Sequence, residues 1–150
     1  MIDRMKRLLQ ENDLCVLATA LDDKPHCSLM AYVTDEDAGW VYMLTHRASK
    51  KYQNLIRNPR ASLLVDTRLQ AGILARERIQ ALTVYGAFHE QRDVGTRNEI
   101  IRRVLRRHPH LGEFAGHPQI EVLAIRPSAF LLLDGVSDAQ YQELRDPDSP

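Results

Sequence analysis

Long apolar runs, a signal-peptide pattern and an excess of charge of one sign are all missing from this sequence. No stretch approaches the roughly 18 apolar residues of a membrane-spanning helix, and the first residues run directly into a charged helical pattern. Twenty basic and 20 acidic residues give a formal net charge of zero. General attraction to nucleic acid or to an anionic membrane is therefore excluded, and we expect a cytoplasmic protein that binds neither.

Cysteine and histidine are too few and too scattered to indicate a metal centre. Cys15 and Cys27 fall on consecutive predicted strands and lack C-x-x-C spacing. The expected hairpin register sets Cys15 opposite about Tyr32, so we predict two reduced, buried thiols that pack as small apolar groups. The six histidines include no pair at the spacing of two ligands on one helical face. No metal site is predicted.

The remaining composition is that of one globular domain. The chain has 150 residues, of which 44% are hydrophobic and 27% charged, which suffices for one self-contained core. We predict a single domain over residues 1–150, in which residues from about 136 to 150 form a tail that frays or makes one helical turn.

Apolar, β-tolerant runs bounded by turn signals predict six strands, at 14–20, 26–33, 40–45, 60–66, 79–91 and 120–134. Helical spacing predicts helices at 2–12, 50–58 and 94–110, the second capped by Ser49. Residues 67–78 fit either a partly helical insertion or a long loop. Gly86 suggests a bulge or a close backbone approach, and Pro127 a bend or an edge. The order of elements predicts a small antiparallel barrel with helices packed outside it.

The stretch "THRASKK" places positive charges where a helix least favours them. Arg47, Lys50 and Lys51 surround the predicted start of the second helix, whose N-terminus already carries a partial positive charge and unpaired N–H groups. Either these side chains spread into water, or an anion lies among them. A phosphate monoester would suit the site, since the Ser49 hydroxyl can also donate. No Walker or Rossmann glycine pattern is present, which favours a monophosphate, and flavin mononucleotide (FMN) fits a barrel with an apolar cleft.

Longer segments carry a family resemblance. The segments "PHCSLMAYV" and "WVYMLTHRASKKYQNLIRNPRASLLV", within residues 25–65, resemble the FMN-binding split-barrel family related to pyridoxamine 5′-phosphate oxidase. "ALTVYGAF" and "IEVLAIRPSAFLLLDG" extend the similarity over most of the chain. The resemblance implies a mainly β (α+β) fold, a six-stranded antiparallel split β-barrel with flanking helices. It also implies a homodimer that binds two FMN molecules in clefts at the subunit interface.

The resemblance further implies which residues bind the cofactor. The phosphate is expected to meet Arg47, Ser49, Lys50 and Lys51. Backbone and side chains around Met30, Leu44 and Thr45 are expected to border the ribityl chain and the isoalloxazine ring. The partner subunit is expected to contribute Thr83 and Gln80 from the fifth strand.

Two departures from the family pattern restrict the expected activity. Ser28 stands where the oxidases carry a phosphate-binding arginine, and the tail lacks their C-terminal segment with Trp and Arg. We therefore expect an FMN-dependent oxidoreductase acting on an unidentified small molecule, rather than an oxidase of pyridoxamine phosphate. The alternatives are a flavin- or haem-binding protein without turnover, with His26, His46 or His89 as iron ligands, and a reductase that uses the deazaflavin F420.

Overall fold

The computed structural model describes residues 1–146, and of residues 73 and 74 only the backbone. Its strands form one antiparallel sheet in the order β2-β1-β5-β6-β7-β4-β3, and β8 pairs with β7. The strands are β1 (Leu14–Leu21), β2 (Lys24–Ala31), β3 (Val33–Thr34), β4 (Val41–His46), β5 (Arg60–Asp66), β6 (Gln80–His89), β7 (Ile120–Asp134) and β8 (Asp138–Glu143). The α-helices are α1 (Ile2–Glu11), α2 (Lys50–Arg57), α3 (Arg68–Ala71), α4 (Val94–Arg107) and α5 (Gly112–Ala115).

The sheet curls into a split barrel around an apolar core, which confirms the predicted fold class. Alternate residues of each strand point inward, and Leu17, Leu63, Leu82 and Phe130 are at most 1% exposed. On the outer side of β4 and β7, a second apolar cluster that includes Val122 is covered by α4. None of the helices in residues 1–146 is long and apolar enough to cross a membrane.

Residues 1–146 form eight strands, so the predicted number of six is wrong. The extra strands are the two-residue β3 and the tail strand β8, which pairs with Ala129–Asp134 of β7. The helical turn predicted for the tail is therefore wrong over 138–143, while residues 147–150 lie outside the description. Between β5 and β6 the chain forms α3 and a 3-10 helix over Ile73–Arg78, which confirms the partly helical alternative.

The first hairpin explains two errors concerning the cysteines. Asp22 and Asp23 have φ values of 51° and 60°, which is the geometry of a two-residue hairpin turn. This short turn pairs Cys15 with Met30 rather than Tyr32. Cys15 is buried, and burial raises the pKa of its thiol to about 12. Cys27 instead is exposed, contrary to prediction, because it faces outward on a part of the sheet that no described helix covers.

Gly86 and Pro127 lie opposite each other at an irregularity between β6 and β7. The register shifts between Tyr85 and Gly86, and a Cβ on Gly86 would lie 2.5 Å from the backbone oxygen of Arg126. The predicted bulge and close approach are thus both confirmed. On its other side, β7 pairs with β4 as far as Ile125 and with β8 from Ala129. Pro127 lies in the gap between these two partners, where no ladder N–H is needed.

Candidate functional site

The loop from β4 to α2 is held in a defined shape by side-chain caps. Ser49 is the N-cap of α2, and its hydroxyl accepts a hydrogen bond from the Tyr52 N–H over 3.3 Å. The Thr45 and Ser49 hydroxyl oxygens are 2.8 Å apart. Arg47 is fixed at its backbone, because its N–H donates to Gln119 O over 2.9 Å and its carbonyl accepts from Gln53 Nε2 over 2.8 Å. The predicted cap of α2 is confirmed.

The first turn of α2 presents four donors without acceptors. Within residues 1–146, the backbone N–H groups of Lys50 and Lys51 have no hydrogen-bond acceptor, and neither ammonium group pairs with a carboxylate. Lys50 is exposed and Lys51 is half-buried, and burial lowers the pKa of the Lys51 ammonium. Two cations and two open N–H groups at one helix N-terminus match the charge and the acceptor oxygens of a phosphate monoester.

Arg47 differs from the two lysines because it has a carboxylate partner. Its Nε donates to Oε1 of Glu121 over 2.9 Å, and its Nη2 lies 2.9 Å from the same oxygen. The other oxygen of Glu121 accepts from Arg97 Nη1 over 3.0 Å. Thr45 lies directly opposite Glu121 in the ladder between β4 and β7, so this triad adjoins the hydroxyl pair of Thr45 and Ser49.

Asn54, one turn further along α2, fixes the helix to the barrel. Its Nδ2 donates to the Thr19 hydroxyl of β1 over 3.1 Å, and the residue is only 1% exposed. Its Oδ1 is buried and has no donor among the described residues. A buried acceptor of this kind is usually satisfied by a water or by a ligand N–H or O–H group.

The other predicted residues are distributed around the barrel. Met30 lies in the main core, and the Leu44 side chain lies under α4, on the face of β4 opposite to Thr45. Only the backbone of Leu44 therefore adjoins the helix start. Gln80 and Thr83 lie on opposite faces of β6: Gln80 lines a small pocket beside α1, whereas Thr83 faces outward between Leu64 and Leu131. Of this pair, only Thr83 lies on a face open to a partner subunit.

An outer face of the sheet is apolar and lacks a helical cover in the described chain. Six directly paired outward positions cross it in one row, Leu29, Val16, Leu64, Thr83, Leu131 and Tyr141. Leu29 is 72% exposed and Tyr141 is 59% exposed. At one end of this face, a groove of about 870 Å³ runs past Tyr85 to Arg60 and Arg145.

The histidines named as iron ligands lie apart. His26 is 3.3 Å from the Ser28 hydroxyl on β2, and the ring of His89 packs against Trp40. The ring of His46 lies 4.7 Å from that of His117, and its Nδ1 accepts from the Ala48 N–H. Among residues 1–146, no group of three or more His, Cys, Asp or Glu side chains is placed to hold a metal ion.

Three residues of the site were missed by the sequence reasoning: Asn54, Arg97 and Glu121. One signal was available for Glu121, since an acidic residue inside the apolar run "IEVLAI" must find partners when it is buried. Arg97 gave no such signal, because it is one of several arginines on α4. Asn54 gave none, since a polar residue on a surface helix is ordinary.

Known proteins share this fold, and one family profile matches most of the chain. The sequence profile described as pyridoxamine 5′-phosphate oxidase matches residues 1–134. No curated protein sequence matches significantly. A heme-binding protein from Mycobacterium smegmatis superimposes with a TM-score of 0.81 at 13% identity, over 93% of this chain and 56% of that one.

Two further solved structures match over nearly their whole length. A FAD-binding protein from Mesorhizobium loti has a TM-score of 0.71 and 19% identity, with 95% of each chain covered. General Stress Protein 26 from Bacillus anthracis has a TM-score of 0.67 and 21% identity, over 95% of this chain and 98% of that one. At these identities the structures establish the shared fold. The profile match over residues 1–134 shows that this chain belongs to the pyridoxamine 5′-phosphate oxidase family.

Proposed function

We propose that the protein is a cytoplasmic, homodimeric flavoprotein that binds FMN and acts as an FMN-dependent oxidoreductase on a small molecule. The observation that carries the proposal is that Lys50 and Lys51, with their open N–H groups at the start of α2, have no partner among residues 1–146. A bound phosphate would convert this unfavourable concentration of positive charge into binding energy.

The neighbouring residues support a flavin nucleotide over a free phosphate. Thr45 and Ser49 offer hydroxyl groups beside the cations, and Asn54 offers a buried acceptor that lacks a donor in residues 1–146. When bound, FMN supplies hydride transfer, so the protein has to bind and orient it and needs no general base of its own. Family membership and the FAD-binding relative agree with a flavin ligand.

The exposed apolar row supports the homodimer. A row that includes Leu29, Leu64 and Tyr141 is unusual on the surface of a monomer and is typical of a subunit interface. Because two copies of one chain can bring the same row of each together about a two-fold axis, a second copy of the chain is the partner that fits it best. In such a dimer Thr83, in the centre of the row, would lie at the interface.

Neutralising the two lysines tests the phosphate site. The variant Lys50→Gln/Lys51→Gln should bind FMN at least about 100-fold more weakly, because two charge-assisted contacts are lost. Quenching of flavin fluorescence on titration gives the dissociation constant. The chain has only two other lysines, Lys6 and Lys24, so Lys6→Gln/Lys24→Gln is the matched control and should bind normally.

Three ligands distinguish the proposal from its rivals. Riboflavin, which lacks the phosphate, should bind weakly to both the parent protein and the double variant. Tighter binding of F420 than of FMN would indicate a deazaflavin reductase. A Soret band after addition of hemin that disappears on substitution of His26, His46 or His89 would indicate haem binding. Absence of FMN binding by the parent protein in this titration would contradict the proposal.

A further inference from the structure

Glu121 is an acidic side chain that lies beside the proposed phosphate site. It is 7% exposed and lies directly across the ladder from Thr45, whose hydroxyl contacts that of Ser49. A buried carboxylate is costly unless it is paired, and here each of its oxygens accepts from a different arginine. Glu121 therefore adds negative charge to the floor of the proposed phosphate site.

The two arginines are held differently. The Arg97 side chain is 27% exposed, and it also donates to the Ile120 carbonyl over 3.2 Å, so it is anchored at two points. The Arg47 side chain is 55% exposed, and both of its contacts reach the same oxygen of Glu121. Arg47 can leave Glu121 at low cost, whereas Arg97 would remain and keep the carboxylate neutralised.

We propose that Glu121 is an internal counter-anion that competes with the bound phosphate for Arg47 and thereby sets the affinity of the site. Without a ligand, Glu121 holds the Arg47 guanidinium. When a phosphate arrives beside Lys50 and Lys51, Arg47 transfers to it, and Arg97 alone balances Glu121. This inference rests on the proposed phosphate site at the start of α2.

The competition predicts opposite effects for the two partners of one ion pair. Glu121→Gln removes the competing charge and releases Arg47, so FMN should bind about three- to tenfold more tightly. Arg97→Gln leaves Glu121 dependent on Arg47 alone, so FMN should bind weaker by about the same factor. A merely structural triad would give weaker binding in both variants, because both would loosen the loop.

The chain supplies matched controls on the outer surface of α4. Glu99 and Arg102 form an ion pair of 2.9 Å in which both side chains are more than half exposed. Glu99→Gln and Arg102→Gln make the same changes of charge away from the site, and each should alter FMN affinity by less than about twofold. Thermal melting establishes that every variant is folded. If Glu121→Gln does not fold, Glu121→Asp shortens the reach of the carboxylate toward Arg47 and should also tighten binding.

Two probes separate failure of this inference from failure of the proposed function. Affinities are measured for FMN and, independently, for inorganic pyrophosphate by calorimetry. Weaker binding of both probes by folded Glu121→Gln or Glu121→Asp overturns the competition and leaves the FMN site intact. If Glu121→Gln binds pyrophosphate more tightly and Arg97→Gln binds it more weakly, while no variant binds FMN, the competition is upheld and the flavin function is overturned. Absence of binding of either probe to the parent protein overturns both.

Discussion

Lys51 is the residue at which the proposed ligand and the fold have conflicting requirements. It is half-buried and lacks a carboxylate partner within the described chain, and burial lowers the pKa of its ammonium group. Burial thus disfavours the charged form in the free protein, whereas a phosphate needs that form. As the pH falls from the ordinary lysine pKa toward the lowered pKa of Lys51, the ligand-free protein should consequently lose stability. It should regain that stability as the pH rises again.

The pH dependence of FMN affinity should show the ionisation of the FMN phosphate and that of the Lys51 ammonium group. Affinity should rise by about tenfold between pH 5 and 7, as the phosphate loses its second proton near pH 6. The affinity should fall again at alkaline pH. Because burial lowers the pKa of Lys51, this fall should begin at a pH below the ordinary lysine pKa of about 10.4. Fluorescence titrations of FMN at each pH measure the profile. Lys51→Met should move the onset of the alkaline decline to higher pH, because Lys50 still contacts the phosphate, and an unchanged onset would assign the early decline to another group.

At the scale of single residues, local sequence predicted the caps and cations but not their partners. Ser49, Lys50 and Lys51 are neighbours in sequence, so one short motif placed them together correctly. Glu121 is separated from Arg47 by 74 positions, and only the pairing of β4 with β7 brings them into contact. The local sequence therefore predicts that Arg47 lies beside the two lysines, but it does not predict the ion pair between Arg47 and Glu121.

At the scale of elements, the contact between β6 and β7 at Gly86 should tolerate no side chain. A Cβ there would lie 2.5 Å from the Arg126 carbonyl oxygen and 3.0 Å from Ile125 Cγ2. Gly86→Ala should reduce the free energy of unfolding by about 1–3 kcal/mol, because the backbone of β7 must shift. Urea denaturation measures the loss. Gly112→Ala has open space around its Cβ and should change stability by about 0.5 kcal/mol or less, so an equal loss in both variants would refute the steric cause.

The elements that the sequence predicted correctly are those with a strong local signal. Alternating apolar residues and turn residues marked the first hairpin, and the Ser49 cap with an apolar stripe marked α2. β8 was missed because "DAQYQE" is mostly polar and exposed, and it is a strand only because β7 offers it an edge. Its conformation is set by tertiary pairing, to which single-sequence patterns are blind.

At the scale of the whole molecule, the exposed apolar row should hold two copies of the chain together. Leu29→Glu/Leu64→Glu places one charge at the β2 end of that row and one near its middle, and the variant should elute as a folded monomer. Size-exclusion chromatography with light scattering measures the mass. Val94→Glu, a control at a position that is 69% exposed at the start of α4, should leave the mass unchanged. A parent protein with the mass of a monomer would refute the homodimer.

The last described strand also protects the solubility of the molecule. The family match ends at residue 134, and β8 lies beyond it, yet β8 satisfies the backbone of Ala129–Asp134 on the side that β4 leaves open. A chain cut after Asp134 would expose a row of unpaired N–H and C=O groups flanked by three leucines, Leu131 to Leu133. Bare edges of that kind recruit other strands and nucleate aggregates. β8 thus covers the edge of β7, and its own polar, charged sequence disfavours pairing with a further strand.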